Sequence, residues 1–272
     1  MPALADVCDA TGRASRADAV LTMVQSRLIP LLPDGSVQNA GRATWGLTSV
    51  PYPGGSGVLR YDARGSAGPE SERELDTCLA VMSTSDAPWT VKVWDHLGGD
   101  VLRSQLEGRG FLVQSSRPVV WLDLSGPVLA PLGPPGTAVR EVGSAQDLRD
   151  WAAVHGRALD LPPAARAVLT EAPRTPSSRS LLAHVDGRPC GVLSLASADG
   201  VAVLYHLGVL PGARRRGLGR LLVETAIARA RARGMRACVA GPSSAASHLA
   251  ASLGAVEVAR VTDMVPGPAR AS

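Results

Sequence analysis

The sequence predicts an α/β fold in two domains, each a mixed sheet flanked by helices. Three observations carry that expectation. At 272 residues the chain exceeds the usual size of one compact core. The stretch Ser125 to Pro135, SGPVLAPLGPP, holds four prolines and no charge, which suits a stiff connector between folded units. Beyond it, strand-like runs alternate with helix-periodic segments instead of being grouped by type. The expected domains are 1–126 and 137–266, joined by a linker over 127–136.

Hydrophobic residues make up 45% of the chain and aromatic residues only 3%, so the cores should be built from Ala, Val and Leu. Cys8, Cys78, Cys190 and Cys238 are widely spaced with no C-x-x-C pair, which argues against a zinc cluster or a disulfide framework; no metal is expected. The N-terminus has no basic segment leading into an apolar run, and no apolar stretch is long enough to span a bilayer. A cytoplasmic protein with no membrane partner is the expectation.

In the first half, Gly57 to Tyr61 reads as a short strand within the loop-rich region 50–68, followed by a helix over Glu70 to Met82. Trp89 to Trp94, Asp100 to Gly108 and Pro118 to Leu124 read as strand, helix and strand. After the connector, Thr137 to Val142 is a strand. Ser144 with Asp147 forms an acidic variant of the capping box, starting a helix that runs to Ala158. The Asp186-Gly187 turn joins Leu181 to Val185 and Pro189 to Ala196 as a hairpin, and Val201 to Val209 follows. Leu218 to Ala232 has helical spacing of apolar positions and stops at Gly234. A strand over Arg236 to Ala240, a helix over Ser244 to Ser252 and a strand over Val256 to Val265 complete the chain.

The net charge of +4 is unevenly placed, with arginines crowding 214–236. Basic clusters also bind nucleic acid, but this one surrounds a glycine turn and lacks interleaved aromatics, so an anionic small ligand ranks ahead of nucleic acid. The order strand, turn, Arg214-Arg215-Arg216-Gly217-Leu218-Gly219, helix suits a pyrophosphate. Glycines let successive backbone N–H groups converge, and the start of the helix, through Arg220, adds unpaired donors and positive dipole. Gly-x-Gly-x-x-Gly spacing, which a dinucleotide site would show, is absent.

The stretch LYHLGVLPGARRRGLGRLL resembles the signature of the GNAT superfamily of acyl-CoA N-acyltransferases: Arg or Gln, then x-x-Gly-x-Gly or Ala, after a strand ending in Val-x-Pro. Val209, Pro211, Arg214, Gly217 and Gly219 match, and the resemblance covers Thr137 to Val265. APWTVKVWDH with LEGRGFLVQSSRPVVWLDL is similar to the degenerate N-terminal domain of tandem GNAT proteins, without a glycine phosphate turn. The resemblance implies two GNAT-like domains, each a mostly antiparallel sheet. It also implies a splayed central strand pair in the second domain that admits the pantetheine arm of acetyl-CoA or another acyl-CoA. Backbone amides at Leu207 and Val209 would meet the arm and the thioester carbonyl. The amine would attack directly, leaving Cys190 and Cys238 as core thiols.

The family's general base and acid positions fall on Val203 and Ala250, and its usual helix Asn on Ser243, so all three are vacant. His206 is the first candidate to replace them, with Tyr205 beside it; neighbours on a strand face opposite ways unless a bulge intervenes. His248 could protonate the leaving thiolate or be an exposed helix residue. Trp151 and His155, four apart on one helix, share a face that could line an acceptor pocket, though a packed Trp beside a solvated His is at least as good a reading. His184 reads as an ordinary strand residue. The expected activity is transfer of a short acyl group to a primary amine of a small molecule in a ternary complex. The competing expectation is an acyl-CoA-binding regulatory protein that has lost catalysis. The N-terminal domain would cover the acceptor side, supply a homodimer surface, or serve as a buttress.

Overall fold

The structure, a computed structural model, describes residues 9–51, 55–65, 68–126, 131–163, 165–166 and 178–268. Residues 127–130 of the expected linker and Cys8 lie outside them. Two compact units are present: Met1–Val119 with Pro242–Ala245 and Glu257–Ser272, and Val120–Gly241 with Ala246–Val256.

The first unit begins with α1 (Ala10–Leu28), capped by Asp9, whose carboxylate accepts the Gly12 N–H at 2.6 Å. This helix was not apparent in the sequence because its inward face is Ala-rich and includes a charge. Asp18 is 1% exposed, and its carboxylate meets His96 Nε2 at 2.7 Å and Arg60 Nε at 3.4 Å. The hairpin of β1 (Ser36–Ala40) and β2 (Ala43–Leu47) was missed as well; β1 is exposed almost throughout, so its sequence shows no alternation. Then follow β3 (Gly57–Tyr61), α2 (Pro69–Met82), β4 (Thr90–Trp94), α3 (Gly99–Gly108) and β5 (Phe111–Asp123). Strand β5 is longer than the expected Pro118 to Leu124. The core beneath α2 and α3 gathers Tyr61, Leu75, Met82, Val91, Leu102 and Phe111.

The second unit contains β6 (Thr137–Glu141), α4 (Ala145–Ala158), β7 (Ser178–Val185), β8 (Arg188–Ala198), β9 (Val201–Val209), α5 (Leu218–Ala232) and β10 (Ala237–Ala240). Most of α6 (Ser244–Ser252) belongs to it too. The sheet runs from the end of β5 through β10, β9, β8 and β7 to β6, antiparallel except for the β9 and β10 pair. Leu222, Val223, Ala226, Ile227 and Ala230 of α5 pack with Leu181, Leu193 and Ala202 of the sheet, while Leu218 packs with Val185 and Cys190. Each fully buried leucine contributes about 1.5 to 3 kcal/mol, so aliphatic burial alone serves this core. Its mixed sheet with flanking helices is the fold class expected.

One expectation needs correcting. The final strand, β11 (Val256–Pro266), was placed in the second domain, but from Glu257 onward it belongs to the first unit, pairing antiparallel with β4 from Val261↔Trp94 to Met264↔Val91. The end of β5 does the reverse, with Val120 to Asp123 pairing β10 in the second unit. Alternation along a strand fixes which side chains face a core but not which sheet receives the strand.

Ser144 accepts the Asp147 N–H at 3.0 Å and Asp147 accepts the Ser144 N–H at 3.0 Å, so the expected capping box is formed. The Ser144 hydroxyl, at 2.8 Å, and the N–H groups of Ser144 and Gly143 donate to the Asp147 carboxylate and draw it down to about 2. Replacing Ser144 by Ala should lower stability by about 1 kcal/mol, seen as an earlier urea midpoint with an unchanged slope; no shift would mean that the cap is energetically idle.

Candidate functional site

The Arg-rich turn starts where β9 ends. Pro211–Ala213 form a single 3-10 turn, Arg215 takes φ +63°, and Gly217 takes φ +76° as the residue before α5. Such left-handed backbone costs a non-glycine residue roughly 1 to 2 kcal/mol. Gly217 has no side chain to cap α5, and the first bond of the helix is Leu221 N–H to the Gly217 carbonyl. The N–H groups of Leu218, Gly219 and Arg220 therefore have no intrahelical acceptor. They form a concentrated donor site for an anion, reinforced by the helix dipole.

The surface at Gly219 is open. A Cβ built on Gly219 would find its nearest neighbour, Leu249 Cδ2, at 3.9 Å, so no protein atom requires a glycine there. The arginines divide into two kinds. Arg214 is a scaffold: its Nε donates to the Val209 carbonyl at 3.0 Å. Arg220 is paired with Glu224 at 2.9 Å and with the Ser252 hydroxyl at 2.9 Å. Arg215 and Arg216 are exposed.

The second feature is an open strand edge. β10 pairs with β9 only from Ala237↔Val201 to Ala240↔Leu204 and then ends, while β9 continues to Val209. The Leu210 N–H donates to the Cys190 carbonyl on the β8 side. Because strand N–H groups alternate in direction, those of Val209 and Leu207 point to the edge that β10 has left.

Between these amides and the paired region lies a β-bulge. Ser194 faces Tyr205 and Val192 faces Gly208, so Leu193 alone opposes both His206 and Leu207. His206 is the extra residue, at φ +57°. The C-terminal end of α4 lies so close to Gly208 that a Cβ there would come within 2.9 Å of Ala158 Cβ. That approach brings α4 over the bulge. Trp151 stacks on His155 with centroids 4.6 Å apart, and His155 lies 4.4 Å from His206, which in turn lies 4.5 Å from Tyr205. The Tyr205 hydroxyl is 2.6 Å from Ser178 Oγ and also hydrogen-bonds Ser194.

His155 is fully buried, which corrects the reading of it as a solvated residue. Among the described residues neither of its ring nitrogens, nor the Trp151 indole N–H, has a hydrogen-bond partner. Burial lowers the His155 pKa to about 4 and, with the His155 ring beside it, pulls His206 well below the ordinary histidine value. Both imidazoles are thus neutral at pH 7. Burial raises Tyr205, keeping its phenol protonated.

The remaining candidates lie apart from this cluster. His248 is exposed on α6. Val203, at the vacant base position, is 1% exposed between Ala196 of β8 and Val239 of β10. Ala250, at the vacant acid position, offers its carbonyl to the Leu253 and Ala255 N–H groups as α6 ends. His184 is buried, with its pKa lowered chiefly by desolvation. Cys190 and Cys238 are buried thiols, and burial pushes Cys238 up to about 12, far from nucleophilic character. No group of three metal-ligating side chains occurs among the described residues. No described helix is long and apolar enough to cross a membrane.

A family model described as "Acetyltransferase (GNAT) family" matches residues 145–255, which hold the α4 cluster, the bulge, the open edge and the glycine turn. This region is a GNAT domain. No curated protein sequence matches the chain. Among solved structures, a GCN5-related N-acetyltransferase from Kribbella flavida is similar at 21% identity and TM-score 0.70, over 93% of this chain and 96% of that one. A GCN5-related N-acetyltransferase from Sphaerobacter thermophilus is similar at 18% identity and TM-score 0.61, over 85% and 84%. A tandem GNAT protein from the clavulanic acid biosynthesis pathway is similar at 18% identity and TM-score 0.62, over 92% and 88%. These likenesses carry the fold across nearly the whole chain, beyond the region that the GNAT model matches.

The first unit also has a short parallel strand pair. The parallel pair β3 and β4 has register only at Gly57↔Thr90 and Val58↔Val91. Past it, the Trp94 indole donates to the Leu59 carbonyl at 3.1 Å and Ala63 N–H donates to the Leu97 carbonyl at 2.8 Å.

The buried histidines of the GNAT domain give stability a defined acid limb. The folded pKa of His155 lies below its unfolded value, so the unfolded chain takes up a proton first as pH falls. Stability is full above about pH 6.5 and falls on the way down to about 4, by on the order of 3 kcal/mol for this residue. Urea midpoints measured between about pH 7 and 4.5 should fall, and His155→Phe should flatten that fall; an equal slope in the variant would show that His155 does not couple to folding.

Proposed function

We propose that the GNAT domain transfers an acetyl or other short acyl group from acyl-CoA to the primary amine of a small molecule, by direct attack in a ternary complex. The observation that carries this reading is the uncapped start of α5 behind Gly217, next to the free edge of β9. Acyl-CoA supplies a thioester whose carbonyl is open to a nitrogen nucleophile. The backbone N–H groups of Leu218, Gly219 and Arg220 would hold the pyrophosphate, with Arg215 and Arg216 adding field and Arg214 and Arg220 bracing the turn. The amides of Leu207 and Val209 would bond the pantetheine arm and polarise the thioester carbonyl.

His206 is the proposed proton acceptor. Its neutral ring offers a lone pair, and its low pKa sets an order of events. The amine arrives uncharged, and His206 accepts its N–H proton as attack builds positive charge on the nitrogen; the carbon–sulfur bond then breaks and CoA leaves as a thiolate that takes that proton from the weakly basic imidazole. Tyr205, tied to Ser178 and Ser194, anchors the far side of the bulge and keeps the His206 ring in place. Trp151 and His155 supply the wall against which that ring rests. The first unit takes no acyl-CoA in this proposal, because Trp94 and the 97–98 main chain use the atoms that would receive it.

A second reading has its own support. Val203 and Ala250 cannot exchange protons, which favours a protein that binds acyl-CoA without turning it over. Thiol release across a panel of amines, measured beside the thermal shift caused by acetyl-CoA, separates the two: a shift without release favours the binding protein.

Two substitutions test the assignment. Gly217→Val places a β-branched residue at φ +76° and should weaken acetyl-CoA binding by about tenfold or more. His206→Ala should reduce turnover by about 10² while acetyl-CoA binding stays within about twofold. Full turnover in the latter would remove His206 from the chemistry.

A further inference from the structure

The connector ahead of β6 forms part of the surface around the glycine turn. Residues 131–136 carry Pro131, Pro134 and Pro135 and no charge, and they belong to the same unit as β9 and α5. They are pinned at several points. A Cβ on Gly133 would come within 2.8 Å of Leu221 Cδ2, so this glycine lets the chain lie against the first turn of α5. The Thr137 hydroxyl donates to the Pro134 carbonyl at 2.5 Å, and the Asp186 N–H, at the turn between β7 and β8, donates to the Gly136 carbonyl at 2.9 Å. Pro134 Cγ stands 3.5 Å from the place a Cβ on Gly217 would take. Two residues earlier, at most about 7 Å along the chain, Leu132 is 88% exposed, the most exposed large apolar side chain among the described residues.

We propose that this connector is a shelf for the adenine ring of acyl-CoA, with Leu132 and Pro134 under one face of the base. The proposal rests on the acyl-CoA reading and adds to it the residue that selects the nucleotide end of the carrier. Sheet order supplies the direction. The open edge of β9 faces β10, whereas the connector comes in beside β6 and β7, on the other side of β9. A carrier with its arm along the open edge and its pyrophosphate at the start of α5 sends its nucleoside away from that edge, to the connector. A purine needs apolar contact for its flat faces and water or polar groups for its edges. The connector offers that contact without a charged side chain of its own. Its prolines fix it before the ligand arrives, so little ordering cost is left to binding.

Calorimetric titration of acetyl-CoA and of S-acetyl-phosphopantetheine into the full-length protein tests the shelf. The second compound keeps the thioester arm and one phosphate but lacks the adenosine. Leu132→Ser should weaken acetyl-CoA by about tenfold and leave the phosphopantetheine thioester within about twofold. Leu132→Phe, which keeps an apolar face for the base, should bind acetyl-CoA at least as well as the parent protein. Unchanged acetyl-CoA binding by Leu132→Ser would overturn the shelf. So would an equal loss with both thioesters, the mark of a disturbed turn, or a loss in Leu132→Phe as large as in Leu132→Ser. Binding of neither thioester by the parent protein would remove the acyl-CoA reading and the shelf with it, whereas tight acetyl-CoA binding indifferent to Leu132 would remove the shelf alone.

Discussion

The site depends on one constraint: β10 stops at Ala240 while β9 runs on to Val209. A strand that loses its partner in mid-course leaves a row of main-chain donors and acceptors that must find other company. Here the Val209 carbonyl is taken by Arg214, and the turn that delivers Arg214 also exposes the start of α5. The open edge and the uncapped start of α5 are therefore two consequences of a single early ending. In the first unit, by contrast, the Trp94 indole takes the Leu59 carbonyl of β3, and just past that strand the Ala63 N–H donates to the Leu97 carbonyl.

The bulge is the next dependent feature. An extra residue in β9 turns the strand and removes strict alternation, so Tyr205 and His206 lie within ring contact of each other. The left-handed φ of His206 costs free energy, and the packing of Trp151 and His155 against it offsets part of that cost. Neutral histidines suit such a place better than charged ones, because no described acid lies in ring contact to support an imidazolium. Low pKa and buried position have the same origin.

Aliphatic packing does the rest. With 3% aromatic residues, the second unit has only Trp121, Trp151 and Tyr205, and the latter two lie at the bulge, while its core under α5 is mostly Leu, Ala and Val. That division leaves polarizable surface where a ligand would sit and plain hydrophobic bulk where only cohesion is needed.

The sequence by itself determined most of the local structure of the second unit: the Ser144 cap, the Asp186-Gly187 hairpin, the long α5 and the glycine turn are all written in short-range pattern. It also placed Trp151 and His155 on one face. Helix α1 and the β1 and β2 hairpin were illegible, because an Ala-rich face carrying a buried Asp18 and an exposed edge strand lack the periodicity that marks an element. Only the tertiary structure decided that His155 is buried beside His206, that a bulge interrupts β9, and that β11 joins the first unit. Each of these turns on pairing or packing between residues far apart in the chain. Periodicity fixes the face that a residue presents, but the partner that meets this face is chosen by the free energy of the whole fold.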